Sequence, residues 1–320
     1  MHGLVTVFGG SGFIGTQVVQ ALARQGFRVR VACRRPQLAY DLRPAGVVGQ
    51  IHLTRAEVTD ADSVARALEG ADACVNLVAI LYETPSRRFQ QVHVEGSRNI
   101  ARACAAAGIA DLVHVSAIGA DPKAKSEYAR TKGEAELAVL DARPSARVLR
   151  PSVVFGPDDD FFNRFARLAA MAPVLPLFGG GKTRFQPVYV GDVAQAVARC
   201  VTDPSTAGRT YELAGPQTYT YRELMEIVCH ETGRHRPLAP VPWTVAGLIG
   251  VAGNLMALTP LKPMLTSDQV LLLQRDNVAA PGAPGLADLG VIPTNVEAVV
   301  PSYLWRYRDG GQFAQVADAG

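Results

Sequence analysis

Through the first half of the chain, short apolar runs alternate with segments whose apolar residues recur at helical spacing. The strand-like runs are LVTVFG, RVRVAC, QIHLTRAEV, DACVNLVA, ADLVHVSA and ARVLRPSVV, with stretches such as TQVVQALARQG and RNIARACAAAG between them. Gly26 and Gly108 close those two stretches, as helix C-termini favour. A strand-helix order repeated this often predicts an α/β fold, a doubly wound parallel sheet with helices on both faces.

After residue 150 the rhythm breaks. GPDDDFFNRFARLAAM predicts a helix, the loop-rich PVLPLFGGGKTRFQPVYV follows, and VGDVAQAVARCV and TYELAG are expected to return to the main body. From residue 217 the pattern is helical and broken by prolines as far as PSYLWRYR. Two domains are therefore expected: 1–155, and a mixed region 156–320 that returns partly to the sheet and forms a smaller, mainly helical C-terminal lobe. The Ala- and Gly-rich last residues are expected to fray. Residues 241–265, VPWTVAGLIGVAGNLMALTPLKPML, are the most apolar part of the lobe. Pro242, Asn254, Pro260 and Lys262 interrupt them, leaving less than the ~20 apolar residues of a membrane-spanning helix. A buried helix is expected here; the alternative is an exposed apolar surface that docks on a membrane or a large partner.

Composition narrows the class. With 48% hydrophobic and 19% charged residues, the 320-residue chain can build a large core and is not a disordered one. Its 32 basic and 29 acidic residues leave a net charge of +3, too even a balance to indicate a nucleic-acid partner. Cys33, Cys74, Cys104, Cys200 and Cys229 lack metal-ligand spacing and read as buried thiols of a reducing compartment. His2, His52, His114, His230 and His235 do not cluster, so no metal is expected. Asp158, Asp159 and Asp160 read as a solvated helix start, and GGGKT, Gly179 to Thr183, lacks the spacing of a phosphate loop. Met1 is followed at once by a strand pattern, so no leader peptide is expected.

The chemistry begins at FGGSGFIG. Gly9, Gly12 and Gly15 fit GxxGxxG, and Gly10, Gly12 and Gly15 fit GxGxxG, between an apolar strand and an amphipathic helix. Glycines there let the backbone approach a pyrophosphate whose charge the helix N-terminus meets, which predicts a Rossmann-type dinucleotide site. An NAD-preferring site places an acid at the end of the second strand, about 20 residues on. Here that strand ends in Cys33, Arg34 and Arg35, and no acid appears before Asp41. Two guanidinium groups where a 2′-phosphate would lie predict NADP(H) over NAD(H).

Tyr128 and Lys132, in YARTK, have the four-residue spacing that puts two side chains on one helix face. A lysine so placed can bind cofactor ribose and lower the tyrosine's pKa, which makes them the candidate catalytic pair. With the glycine turn, these motifs resemble the extended short-chain dehydrogenase/reductase superfamily, epimerase/dehydratase-like members included. The resemblance implies that the turn, Gly9, Gly10, Ser11, Gly12, Phe13, Ile14 and Gly15, holds the pyrophosphate. It implies cofactor contacts from Glu57 and Val58 in AEVTD, from Leu77, Val78 and Ala79 in NLVAI, and from Ser116, Tyr128 and Lys132. It adds Pro151, Val153 and Val154 in LRPSVVFGP. Two supporting polar groups depart from the pattern. Ala117 stands where an active-site hydroxyl is expected, with Ser116 one residue early, and His93 stands where an Asn begins the helix.

Four later stretches are similar to the Rossmann-type accessory subunit of respiratory complex I, NADH:quinone oxidoreductase: PSVVFGPDDDFFNRFA, GGKTRFQPVYVGDVAQAV, AGPQTYTYRELM and PGLADLGVIPTNVEAVVPSYLWRYR. That likeness implies tightly held NADPH without turnover and other complex I subunits as partners, with membrane-surface contact through 241–265. It implies a peripheral position on the cytoplasmic side of a bacterial inner membrane, or the matrix side in an organelle. The alternatives are an active NADPH-dependent reductase or epimerase using Tyr128 and Lys132, and a redox-sensing regulator that binds NADP(H).

Overall fold

Strands rich in Val, Leu and Ala, buried on both faces, can be satisfied only in a parallel sheet with helices above and below. The computed structural model, which describes residues 2–259 and 261–313, has this arrangement. Its strands are β1 (His2–Phe8), β2 (Phe27–Cys33), β3 (Ile51–Arg55), β4 (Ala73–Asn76), β5 (Asp111–Val115), β6 (Arg147–Pro151) and a seventh, Thr210–Leu213. They run in the order seventh, β6, β5, β4, β1, β2, β3, all parallel. The chain leaves β1 toward β2 on one side and later resumes at β4 on the other. This reversal opens a crevice at the carboxyl ends of β1 and β4, where ligands of such sheets bind.

The crossovers are α1 (Phe13–Arg24), α2 (Ala61–Leu68), α3 (Gly96–Ala106) and α4 (Glu127–Ala142). Each buries one apolar stripe, as Val18, Val19 and Leu22 do on α1 and Val64, Ala67 and Leu68 on α2. Asp60 starts α2 by accepting hydrogen bonds from the backbone N–H groups of Asp62 and Ser63. Phe8, Val58, Leu68, Ile100, Leu112 and Val139 form part of one core cluster.

The chain divides into two units. The first comprises Met1–Pro151, Gly191–Leu213 and Pro281–Ile292, and the second Ser152–Val190, Ala214–Ala280 and Pro293–Gly320. The second holds α5 (Phe162–Met171), α7 (Tyr221–Glu231), α8 (Trp243–Met256) and α9 (Ser267–Leu273); α6 (Val190–Thr202) carries the chain into the first. Its core is aromatic, with Phe155, Phe162, Phe185 and Tyr221 packed around Leu224 and Met225.

Two expectations are corrected in this unit. The three aspartates are not all a solvated helix start: Asp158 is exposed, but Asp159 is buried, accepts the Gly156 and Asn163 N–H groups (3.1 Å each) and takes the Tyr303 hydroxyl at 2.5 Å. Asp160 pairs with Arg164 and Lys262. Nor is 241–265 a buried helix. On α8 only Ala246, Gly250 and Gly253 are buried, and a Cβ on Gly253 would lie 1.8 Å from the Leu265 carbonyl oxygen. Small residues let α8 approach residues 265–267 closely; Trp243 and Ile249 pack against the core, and other large side chains turn outward. Val245, Leu248 (72% exposed), Val251, Leu255 and Leu258 line the free face. The tail expected to fray lies beyond residue 313, outside the described residues.

Candidate dinucleotide site

The chain turns sharply after β1. Gly9 has φ 78°, a left-handed conformation open to glycine, and its N–H donates to the Ala32 carbonyl at 3.1 Å. A Cβ on Gly15 would sit 2.3 Å from the Gly9 carbonyl oxygen and 2.6 Å from Gly10 Cα, so only hydrogen fits where α1 crosses the turn. Gly12 differs. It is the N-cap of α1 in extended conformation, and an added Cβ would meet only the Gly9 oxygen, at 3.4 Å. No side chain caps α1 and its first turn holds no acid, so the partial positive charge of its N-terminus is left for an anion.

Other segments assemble around this turn. The Leu77 N–H donates to the Phe8 carbonyl (3.0 Å), the Val78 N–H to Asn76 Oδ1 (3.1 Å), and the Val78 side chain packs 3.3 Å from where a Gly9 Cβ would stand. Beyond β3, Val58 is buried and its carbonyl accepts from Asn99 Nδ2 at 3.0 Å. Gly96 lets α3 approach it, since a Cβ there would lie 2.8 Å from Val58 Cγ2. Arg34 and Arg35 leave the end of β2 exposed, and neither has a carboxylate at ion-pair distance among the described residues. An uncapped helix start beside unpaired guanidinium groups is a donor set that fits a phosphorylated dinucleotide.

The candidate catalytic pair lies on α4, whose N-cap is Ser126. Lys132 is 1% exposed and its Nζ donates to the Val115 carbonyl at 2.8 Å. Burial pushes its pKa down to about 8, against a smaller opposing effect of Glu136. The half-buried Tyr128 ring meets Phe89 and His93 edge-on, with centroids 5.9 and 5.5 Å away.

His93 sits in a wide helical turn, Gln90–Glu95, that runs into α3. Its Nε2 accepts the Ile80 N–H at 3.0 Å, while Nδ1 lies 3.0 Å from Thr131 Oγ1, which donates to the Glu127 carbonyl at 2.8 Å. That chain assigns the ring proton to Nδ1 and keeps the imidazole neutral. Burial first and the Lys132 charge second hold its pKa down to about 3. Nearby on β5, His114 is buried and neutral for the same two causes, with Nδ1 3.2 Å from Asn76 Nδ2. His114 Nε2 and Ser116 Oγ are buried and have no hydrogen-bond partner among the described residues.

Among the expected site residues, the glycine turn, Arg34, Arg35, Glu57, Val58, Leu77, Val78, Ala79, Ser116, Tyr128, Lys132 and Pro151 belong to the first unit. Val153 and Val154 belong to the second, where Val154 pairs with Val188. The sequence reading passed over Thr131 and the Ile80 amide, both of which bond His93.

A sequence profile of the NAD dependent epimerase/dehydratase family matches residues 5–214. The chain belongs to this family. The extended short-chain dehydrogenase/reductase resemblance read from the motifs is thus met, and binding of a nicotinamide dinucleotide is typical of the family. The chain is 35% identical over 308 residues to the mouse protein named NADH dehydrogenase (ubiquinone) 1 alpha subcomplex subunit 9, mitochondrial, covering 95% of this chain and 80% of that one. It is 30% identical over 244 residues to a Caulobacter vibrioides ceramide reductase, covering 75% and 74%. Among solved structures, NADPH-dependent quinone oxidoreductase QOR2 from Escherichia coli superposes with a TM-score of 0.74 over 94% of this chain and 99% of that one, at 20% identity. No helix among the described residues is long and apolar enough to cross a membrane.

Proposed function

We propose that this chain holds NADPH as a structural ligand and serves as an accessory or assembly subunit of respiratory complex I, attached to the peripheral arm near the membrane. The observation that carries this reading is the extent of the likeness to the mouse NADH dehydrogenase subunit. It takes in 95% of the chain, second unit included. The uncovered leucine face of α8 is the surface proposed to dock there, on neighbouring subunits and the membrane surface beside them, on the cytoplasmic or matrix side.

When bound, the dinucleotide supplies hydride chemistry. The residues of this chain do the holding. The α1 N-terminus receives the pyrophosphate, and Arg34 and Arg35 favour the 2′-phosphate of NADPH. Three observations speak for holding over turnover. Ala117 offers no hydroxyl, His93 is fixed as a neutral brace, and Lys132 gives one of its three N–H donors to the Val115 carbonyl. A ligand that binds only the folded state adds stability by mass action.

Complex I prepared in mild detergent from the source membrane should contain this chain with NADPH bound. The double substitution Leu248→Asp, Leu255→Asp should release the chain while the isolated protein keeps its NADPH. Absence of the wild-type chain from the gently prepared complex overturns the reading. A second reading, an active NADPH-dependent reductase, is favoured by the Tyr128 and Lys132 pair and by the ceramide reductase likeness. Tyr128→Phe should then abolish turnover and spare NADPH binding; unchanged turnover sinks that reading.

A further inference from the structure

Three rings meet beside the first turn of α4. The Phe89 and His93 rings lie 5.2 Å apart at 36°, and each stands edge-on to the Tyr128 ring, at 78° and 88°. Edge-to-face contact at these separations is a favoured packing of aromatic side chains. Tyr128 is half-buried, whereas Phe89 and His93 are buried, so two core rings flank one that reaches the surface. Both flanking residues are anchored in turn. Glu83 accepts the Phe89 N–H at 2.7 Å with Oε1 and pairs with Arg88 at 3.1 Å through Oε2. His93 takes the Ile80 N–H on one side and meets Thr131 Oγ1 on the other, and that hydroxyl is also 3.1 Å from the Tyr128 carbonyl. His93 is thereby tied to the same helical turn that carries Tyr128. The backbone that presents it is held wide: the Gly96 N–H bonds the Gln91 carbonyl five residues back, where an α-helix spans four. Such wide turns are uncommon and recur at functional sites. This one ends at Gly96, which packs on Val58, an expected dinucleotide contact.

We infer that Phe89 and His93 are positioning residues for Tyr128, their rings holding its phenol in one orientation so that the hydroxyl is a preset ligand for the nicotinamide half of the bound dinucleotide. The inference rests on the NADPH reading above. A tyrosine side chain turns about two torsions, and fixing them before the ligand arrives removes that entropy cost from binding. The wide turn is the element that builds the clamp. His93, which stands where the family pattern has an Asn, is one of its two walls.

The test uses the full chain stripped of nucleotide, with dissociation constants measured by calorimetry for NADPH and for adenosine 2′,5′-bisphosphate, which lacks the nicotinamide half. Tyr128→Phe should weaken NADPH about fivefold, the loss expected for one neutral hydrogen bond. Phe89→Leu and His93→Gln should each weaken it about threefold in the wild type and by less than about 1.5-fold beside Tyr128→Phe, because they act through that hydroxyl. Gln at 93 can still bond Ile80 and Thr131, so a loss there belongs to the ring. Every variant should bind the bisphosphate as wild type does, which a general disturbance of the fold would not allow. If Phe89→Leu does not fold, Phe89→Met takes its place in the cycle. Losses that multiply in the double variants, or equal weakening of the bisphosphate, overturn the inference. Unchanged NADPH affinity in one ring variant overturns the role of that residue. Wild-type affinity in Tyr128→Phe overturns the clamp and leaves the NADPH reading standing; a wild-type chain that binds no NADPH overturns both.

Discussion

The glycine turn and the Tyr128-Lys132 pocket both belong to the first unit, yet they treat their polar groups in opposite ways. At the turn, no side chain caps the α1 N-terminus, and Arg34 and Arg35 have no carboxylate at ion-pair distance among the described residues. At the pocket, His93 is bonded through both ring nitrogens and the Lys132 ammonium donates to a strand carbonyl. Groups left open can be satisfied only by something that arrives, whereas groups bonded internally already stabilise the fold. The contrast is between donors left open at the turn and a histidine and a lysine that the fold itself bonds at the pocket, where Ser116 Oγ and His114 Nε2 stay without a partner among the described residues.

Substitution and pH can break or sharpen that contrast. The largest expected effect is Gly15→Ala. A methyl 2.3 Å from a backbone oxygen that cannot yield should cost at least about 3 kcal/mol in urea unfolding and abolish dinucleotide binding. Wild-type stability in that variant would show that the turn is less tightly built than described.

Lys132 comes next. Its folded-state pKa, about 8, lies below the ordinary 10.5, so between those values the unfolded chain holds more protons and stability rises with pH. Relative to Lys132→Met, the wild type should gain about 3 kcal/mol between pH 8 and pH 10.5, at 1.36 kcal/mol per pH unit. Parallel stability curves for the two proteins would place the ammonium in contact with solvent.

His93 has the same sign at lower pH. Its value, about 3 against an ordinary 6.5, means that the unfolded chain takes up its proton first, so stability falls as pH drops through that window. Against His93→Gln, the wild type should lose about 2 kcal/mol between pH 6.5 and pH 5, read from urea midpoints. The smallest effect on stability is expected from Gly12→Ala, within about 0.5 kcal/mol because the site is open. NADPH affinity should nonetheless fall, since the new methyl stands where the phosphate approaches. A variant that binds as wild type would move the anion away from α1.

Much of the binding end was legible because its signals are local. A strand, a glycine spacing and a helix start lie within residues 4–19, and Arg34 and Arg35 follow at the end of the next strand. The pocket was legible only as a list of residues. Nothing in HVEGSRN says that His93 braces Ile80 and Thr131, because those partners lie 13 and 38 residues away. Asp159 looked like a solvated acid for the same reason, since the hydroxyl that it accepts belongs to Tyr303, 144 residues on.

Taken alone, the order and spacing of residues determined the parallel sheet, the glycine turn, the basic end of β2 and the Tyr-Lys pair, since each depends on backbone geometry over a few turns or strands. Tertiary structure decided which groups would remain unpaired. It turned the leucines of α8 outward by packing Gly250 and Gly253 inward, and it fixed the His93 tautomer. The physical reason is that burial and charge pairing belong to distances across the fold, which hydrophobic pattern and motif spacing along the chain do not contain.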